Sequence, residues 1–189
     1  MPARGGLWML SRGHFSKINF RPTLITMEIT KIPNKILAKK MEKVAVDDIK
    51  SGLYKGLISD MRTAMVENNG VGLAANQVGK DLRIFVVDKK LAEENNVPDA
   101  FINPEITEYS KESDEMEEGC LSVPDYWAQI KRAKKIKIKF IDENGTKQKI
   151  KAKGFLARVF QHETDHLNGL TIKERTAEVR LRTDLLSNK

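Results

Sequence analysis

The sequence predicts a mixed helix-and-strand fold, and three stretches carry that prediction. Apolar residues recur at helical spacing from Val46 to Met65. Lysine alternates with apolar residues from Lys135 to Phe140, and again, apart from Gln148, from Lys147 to Lys153. Near the C-terminal end, Gln161-His162-Glu163-Thr164-Asp165-His166-Leu167 reads as a helix with two histidines one turn apart on one face.

In chain order, residues 1–26 carry Arg4, Arg12, Lys17 and Arg21 and no acid. They lack the compact apolar core of a secretory signal. The composition fits an organellar transit peptide, and equally an open reading frame begun upstream of a true start at Met27. Either way this extension is expected to be disordered and outside the fold. A short extended piece follows, broken at Pro33. An N-terminal helix over about 46–68 is then predicted, with Val46, Ile49, Leu53, Leu57, Met61 and Met65 on one stripe. Asp47 or Asp48 could cap its start, and Asn68-Asn69-Gly70 stops it. Gly52 and Gly56 lower helix propensity but allow close packing.

Gly70 to Gly79 is rich in small residues. No Gly-Lys-Ser/Thr closes it, so it is not a phosphate loop. Small residues instead permit another backbone to approach, such as a peptide strand. Gln77 is the one long polar side chain there. Leu82 to Asp88 reads as a buried strand, residues 89–99 as a loop, and Ala100 to Thr107 as a strand broken by Pro104. The acidic patch of Glu112, Asp114, Glu115, Glu117 and Glu118 reads as solvated surface, except for Glu118, which directly precedes Gly119-Cys120.

The hairpin pattern also argues its register. A two-residue Asn-Gly loop would set Lys139 opposite Ile150 and mix lysine with apolar residues on one face. A three-residue loop, Glu143 to Gly145, sets Lys139 opposite Lys149 and keeps Ile138, Ile150 and Ala152 together, with Gly145 at positive φ. Seven lysines then share the outer face, a cost that nearby acids or an anionic partner must offset. Gly154 leads into the histidine helix, which Asn168-Gly169 ends. The tail from Thr171 reads as a short strand, then a helix or frayed end.

Composition sets bounds. At 189 residues, 40% hydrophobic and 31% charged, the chain is long and apolar enough for one packed core. No apolar run approaches the roughly 18 residues of a membrane span. The single cysteine, Cys120, excludes an intrachain disulfide and points to a reducing compartment or a thiolate with a role. The four basic residues of 1–26 account for more than half of the net charge of +7.

His162 and His166 are two of only three histidines in the chain. Their spacing can close two imidazoles on one metal ion, and Glu163 can reach a water on that metal without being a ligand. Two ligands leave a catalytic site incomplete. Downstream carboxylates and the lone thiol are the candidates for the third. A lone cysteine is ordinarily a small buried hydrophobe. Beside a two-histidine helix, Cys120 is preferred as a ligand, with Gly119 letting its strand approach the helix.

Three segments together resemble one family, the peptide deformylases. They are Gly-Val-Gly-Leu-Ala-Ala-Asn-Gln from Gly70 to Gln77, Glu-Gly-Cys-Leu-Ser from Glu118 to Ser122, and Gln-His-Glu-Thr-Asp-His from Gln161 to His166. Thr164 stands where the family more often has an apolar residue. The resemblance implies an α+β fold, antiparallel β-sheets wrapped around a central metal-binding helix, in a catalytic domain at 27–175 followed by a charged tail at 176–189. It implies removal of the formyl group from formyl-methionyl nascent peptides, with one divalent ion per chain held by Cys120, His162 and His166. Fe2+ is the ion implied; Zn2+ suits the ligand types, and Ni2+ or Co2+ would substitute. Glu163 would be the general base, and the Gln77 amide and Leu121 N–H the oxyanion donors. Val71, Gly72, Glu118, Gly119 and Arg158 would bind substrate, and Asp165 is a candidate acceptor for a histidine N–H.

Two other readings compete. A zinc endopeptidase on the same helix would need a third ligand beyond His166. A ribosome-binding protein with a structural metal would have a closed site and no turnover. The remaining expectations are a monomer, no membrane association, a possible ribosome contact through the lysine-rich hairpin 135–153, and a bacterial cytoplasm. A mitochondrion or plastid replaces the last if residues 1–26 are a transit peptide.

Overall fold

The computed structural model describes residues 27–176 and the backbone of 179–181. The expectations for residues 1–26 and for the end of the tail lie outside the described residues. From Met27 the chain is irregular apart from a 3-10 turn at Lys35–Ala38, which Asn34 caps by accepting from the Ile36 N–H at 3.1 Å.

The predicted helix over 46–68 is two helices, α1 (Val46–Lys50) and α2 (Lys55–Glu67). Gly52 is the cause. Its φ of 79° is left-handed, so it ends α1 after little more than one turn. The intervening residues reset the helical phase. The buried face of α2 is Ile58, Met61, Ala64 and Met65, while Leu53 from the predicted stripe is 63% exposed. Ala45, not an aspartate, occupies the N-cap; Asp47 and Asp48 lie in the first turn, where they favour the helix dipole.

The stretch rich in small residues forms β1 (Gly72–Ala74) and a 3-10 turn at Ala75–Val78. β2 (Ile84–Val87) is fully buried, as its apolar run predicts. The expected loop after it contains α3 (Lys89–Glu94), capped by Asp88, whose side chain accepts from the Leu91 N–H at 2.9 Å. Six residues are too few to display a helical period. β3 (Ala100–Tyr109) runs through Pro104 rather than stopping there. A bulge between Ile102 and Glu105, with Asn103 at φ 51°, lets proline sit where no ladder N–H is needed.

β4 (Ser113–Cys120) and β5 (Val123–Ala133) form a long antiparallel pair that the acidic composition hid. β6 (Lys135–Ile141) and β7 (Lys147–Lys153) form the hairpin in the predicted register, with Lys139 opposite Lys149 and Ile138 opposite Ile150. Asp142 N–H donates to the Thr146 carbonyl at 3.0 Å and Gly145 takes φ 80°, which leaves three residues in the loop. α4 (Gly154–Leu167) follows, and a short strand, β8 (Val179–Leu181), pairs with β5.

Two antiparallel sheets result, one of five strands in the order β1-β2-β3-β6-β7 and one of three in the order β4-β5-β8. α4 touches strands of both. Its Leu156, Val159, Phe160 and Leu167 are buried, worth about 1.5–3 kcal/mol each on transfer grounds. Phe160 packs on Phe101 at 4.6 Å and on Phe85 at 5.7 Å between ring centroids. The polar face of this helix is buried too, including Arg158, Gln161, Glu163, Asp165 and His166. Burying so many polar groups is costly unless they are paired or employed.

Candidate metal centre

The i, i+4 spacing on α4 holds the His162 and His166 rings 5.0 Å apart between centroids. Cys120, the last residue of β4, brings Sγ to 3.2 Å from His166 Nε2. One donor atom from each of Cys120, His162 and His166 lies within 4.8 Å of the others. Gly119 serves a different neighbour from the one expected. A Cβ there would lie 3.1 Å from the Trp127 indole, so the bare backbone accommodates β5 rather than the helix.

Glu118 accepts from His162 Nδ1 at 3.0 Å, which fixes the tautomer and leaves Nε2 to face the cysteine. Asp165, the acceptor considered from sequence, instead pairs with Arg132 and Arg175. Glu118 is itself gripped by Arg132, at 3.0 Å and 2.9 Å to its two oxygens, and by Arg158 at 2.7 Å. The Arg158 guanidinium also holds Asp114 at 2.5 Å and the Ile130 carbonyl at 2.9 Å. Arg158 and Glu118 therefore line the cavity with their charges already committed to one another.

Electrostatics follow from burial and these contacts. Burial alone would raise the Glu118 carboxyl, but His162 and Arg132 hold it well below the usual carboxylate range. Burial likewise opposes a Cys120 thiolate, yet the two histidines bring its pKa down to about 5. Burial works against a His162 imidazolium, and Cys120 and Glu118 outweigh it, raising that pKa well above its ordinary value. Without a metal, a Cys120 thiolate and a charged His162 ring therefore favour one another. Glu163 differs: burial dominates and pushes its carboxyl up to about 7.

Glu163 Oε2 has no hydrogen-bond partner among the described residues. Its other oxygen lies so close to Gly72 that a Cβ there would sit 2.3 Å away. Gln77 Oε1 accepts from the Ala74 N–H at 2.9 Å, and its Nε2 lies 3.2 Å from Ser122 Oγ and 3.8 Å from Cys120 Sγ. A cavity of about 670 Å³ opens onto these groups, lined also by Val71, Gly72, Glu118, Gly119, Leu121 and Arg158. All the residues singled out from the sequence for chemistry or substrate therefore meet at one place. Sequence reasoning missed Ser122 and Arg132. Ser122 was visible inside the Glu-Gly-Cys-Leu-Ser segment, whereas nothing local marked Arg132.

One thiolate and two imidazoles, largely buried, mutually close and beside an open cavity, suit a divalent transition ion with three protein ligands. A model of the polypeptide deformylase family matches residues 26–181. The chain belongs to the polypeptide deformylase family. Among curated relatives, the peptide deformylase of Dictyoglomus turgidum is 52% identical over 152 residues, 80% of this chain and 94% of that one. Peptide deformylase 1 of Clostridium perfringens is 52% identical over 137 residues, 72% of this chain and 88% of that one. The crystal structure of the Thermotoga maritima peptide deformylase superposes with a TM-score of 0.73 at 40% identity, covering 81% of this chain and 99% of that one. A class I type b peptide deformylase from Acinetobacter baumannii with Met-Ala-Ser bound gives 0.72 at 35% identity, over 80% and 99%. The architecture of antiparallel sheets with few helices matches that of solved deformylases. Members of this family are metal-dependent hydrolases that remove N-terminal formyl groups from nascent polypeptides.

Proposed function

We propose that formyl-methionyl nascent peptides are deformylated in this cavity by Glu163 acting as general base beside one divalent ion on Cys120, His162 and His166. The supporting observation is Glu163 itself, a buried carboxylate with an unpartnered oxygen at the mouth of a three-donor centre. When bound, the ion supplies a Lewis acid that lets a water ionise near neutral pH. Glu163 takes the proton as that water's oxygen bonds to the formyl carbon. The C–N bond then breaks, and Glu163 passes the proton to the departing amine, leaving formate and a free N-terminus. The Gln77 Nε2–H and the Leu121 backbone N–H donate to the oxyanion as it develops. β1 is an edge strand, so Val71 and Gly72 can pair with an extended substrate. Glu118, Gly119 and Arg158 form the wall along which the methionine side chain lies. The Met-Ala-Ser bound by the Acinetobacter baumannii enzyme supports a peptide beginning with methionine here.

The test is anaerobic turnover of formyl-Met-Ala-Ser, followed by amine release, for wild type and Glu163→Ala. The expected result is wild-type turnover and a variant slower by about 10²- to 10⁴-fold with its metal retained. Equal rates, or a loss explained by lost metal, would refute the assignment.

Ferrous iron is our choice of ion, on the family resemblance, although the ligand types also suit zinc; metal analysis of anaerobically purified protein decides it. We place the catalytic unit at 27–175, with β8 adding a strand beyond it, in a monomer working in a bacterial cytoplasm. A ribosome contact through hairpin 135–153 is supported by charge. Lys137 and Lys139 pair with Glu108 and Glu105 at 2.6 and 3.0 Å, but among the described residues no carboxylate forms an ion pair with Lys135, Lys147, Lys149, Lys151 or Lys153. Charge reversal at Lys149 and Lys151 is expected to abolish salt-sensitive ribosome co-sedimentation while sparing tripeptide turnover. Unchanged co-sedimentation would remove this reading.

A further inference from the structure

Asn76 is fully buried, next to Gln77 in the 3-10 turn that follows β1. The two adjacent side chains reach different elements. Gln77 Nε2 faces Ser122 and Cys120. Asn76 Nδ2 donates to the backbone carbonyl of His166 at 2.7 Å, across ninety positions of sequence. That carbonyl also accepts from the Gly169 N–H at 3.0 Å, so both of its lone pairs are used. The turn is pinned from the other side, where Thr30 N–H donates to the Gln77 carbonyl at 2.7 Å. Carbonyls in the last turn of a helix have no partner within the helix. Here the His166 carbonyl is satisfied by the Gly169 N–H and, across the fold, by the side chain next to Gln77.

We propose that Asn76 is a positioning residue, tying the turn that carries Gln77 to the backbone of His166 so that amide donor and imidazole keep one fixed spacing. The proposal rests on the role given to Gln77 above. It follows from geometry: donors aimed at a developing charge act only if preorganised to within a few tenths of an ångström. Nothing else on this turn reaches α4 by a side-chain hydrogen bond among the described residues. Losing the hydrogen bond misplaces the Gln77 amide, which is felt mainly in kcat.

The experiment is a double-mutant cycle on the metal-loaded enzyme: wild type, Asn76→Ala, Gln77→Ala and the double variant. kcat and KM are measured for formyl-Met-Ala-Ser, with metal content and melting temperature checked for each. Asn76→Ala is expected to lower kcat about 10- to 100-fold with KM nearly unchanged, and to cost less than about twofold more in the Gln77→Ala background. The Gln77 side-chain amide resonance is expected to shift in Asn76→Ala, a readout independent of turnover. If alanine does not fold, Asn76→Ser, which keeps a shorter donor, carries the same cycle. Additive losses, or a wild-type kcat in Asn76→Ala, would overturn the proposal while leaving Gln77 its role. Full activity in Gln77→Ala would overturn the role of Gln77, and the proposal with it.

Discussion

Replacing Gly72 with alanine puts a methyl group where the Glu163 carboxylate now lies. The new Cβ would sit 2.3 Å from Oε1, 2.7 Å from Cδ and 2.9 Å from Cγ of Glu163. Comfortable separations for such atoms start near 3.5 Å, so the carboxyl must withdraw by about 1 Å. The fold should tolerate this. Gly72 does not use the left-handed region, and an off-rotamer Glu163 costs roughly 0.5–1.5 kcal/mol. The chemistry should not. A 1 Å displacement of a reacting group costs about 100-fold in rate, some 2.7 kcal/mol of barrier. Gly72→Ala is therefore expected to lower kcat about 100-fold, with metal content unchanged and melting shifted by only a few degrees. The assay is kcat and KM for formyl-Met-Ala-Ser, beside metal analysis and thermal denaturation. A kcat within about threefold of wild type, with metal and melting normal, would refute the reasoning, because Glu163 would then have no fixed position to lose.

Removing Arg132 leaves Glu118 and Asp165 each short of a buried guanidinium partner. Arg132→Met should lose about 3–5 kcal/mol of stability in chemical denaturation, and metal affinity should fall 10- to 100-fold as Glu118 loosens its grip on His162. A stability change below about 1 kcal/mol would contradict the network. In metal-free protein the Cys120 thiol, lowered to about 5, is a thiolate above that pH and loses its charge below it. Iodoacetamide alkylation, read by mass spectrometry, should accordingly decline as pH falls through about 5 and be blocked by added metal. A decline centred near the ordinary thiol pKa would contradict the pairing with the two histidines.

The parts of the structure legible in the sequence are those whose information is local. The β6–β7 register could be argued because one-residue slippage would bury lysine beside Ile138 and Ile150. The two histidines were legible because a helix turns fixed spacing into one face. β4 was hidden because Glu115 and Glu117 are exposed, leaving no apolar alternation to read. The break at Gly52 was hidden because a glycine inside an apolar stripe signals close packing as readily as an end. In the site, His162 and Glu118 lie 44 positions apart, and Arg132 reaches Asp165 across 33. Such pairings are made by tertiary approach, so nothing local marked Glu118 as the acceptor for His162 or singled out Arg132.

Cys120 belongs to the three-stranded sheet, whereas the two histidines ride on a helix that also packs against the five-stranded one. An ion held by these residues as proposed would fasten the two halves of the molecule as well as serve the reaction, adding about 2.7 kcal/mol of stability at a hundredfold excess over its Kd. Oxidation of the thiolate by a peroxide to a sulfenic acid would remove that ligand, and so undo catalysis and the fastening together. A damaged copy would be both silent and loosened, more open to proteolysis than its intact neighbours. Loss of function and loss of the fastening would then be one chemical event at one sulfur atom.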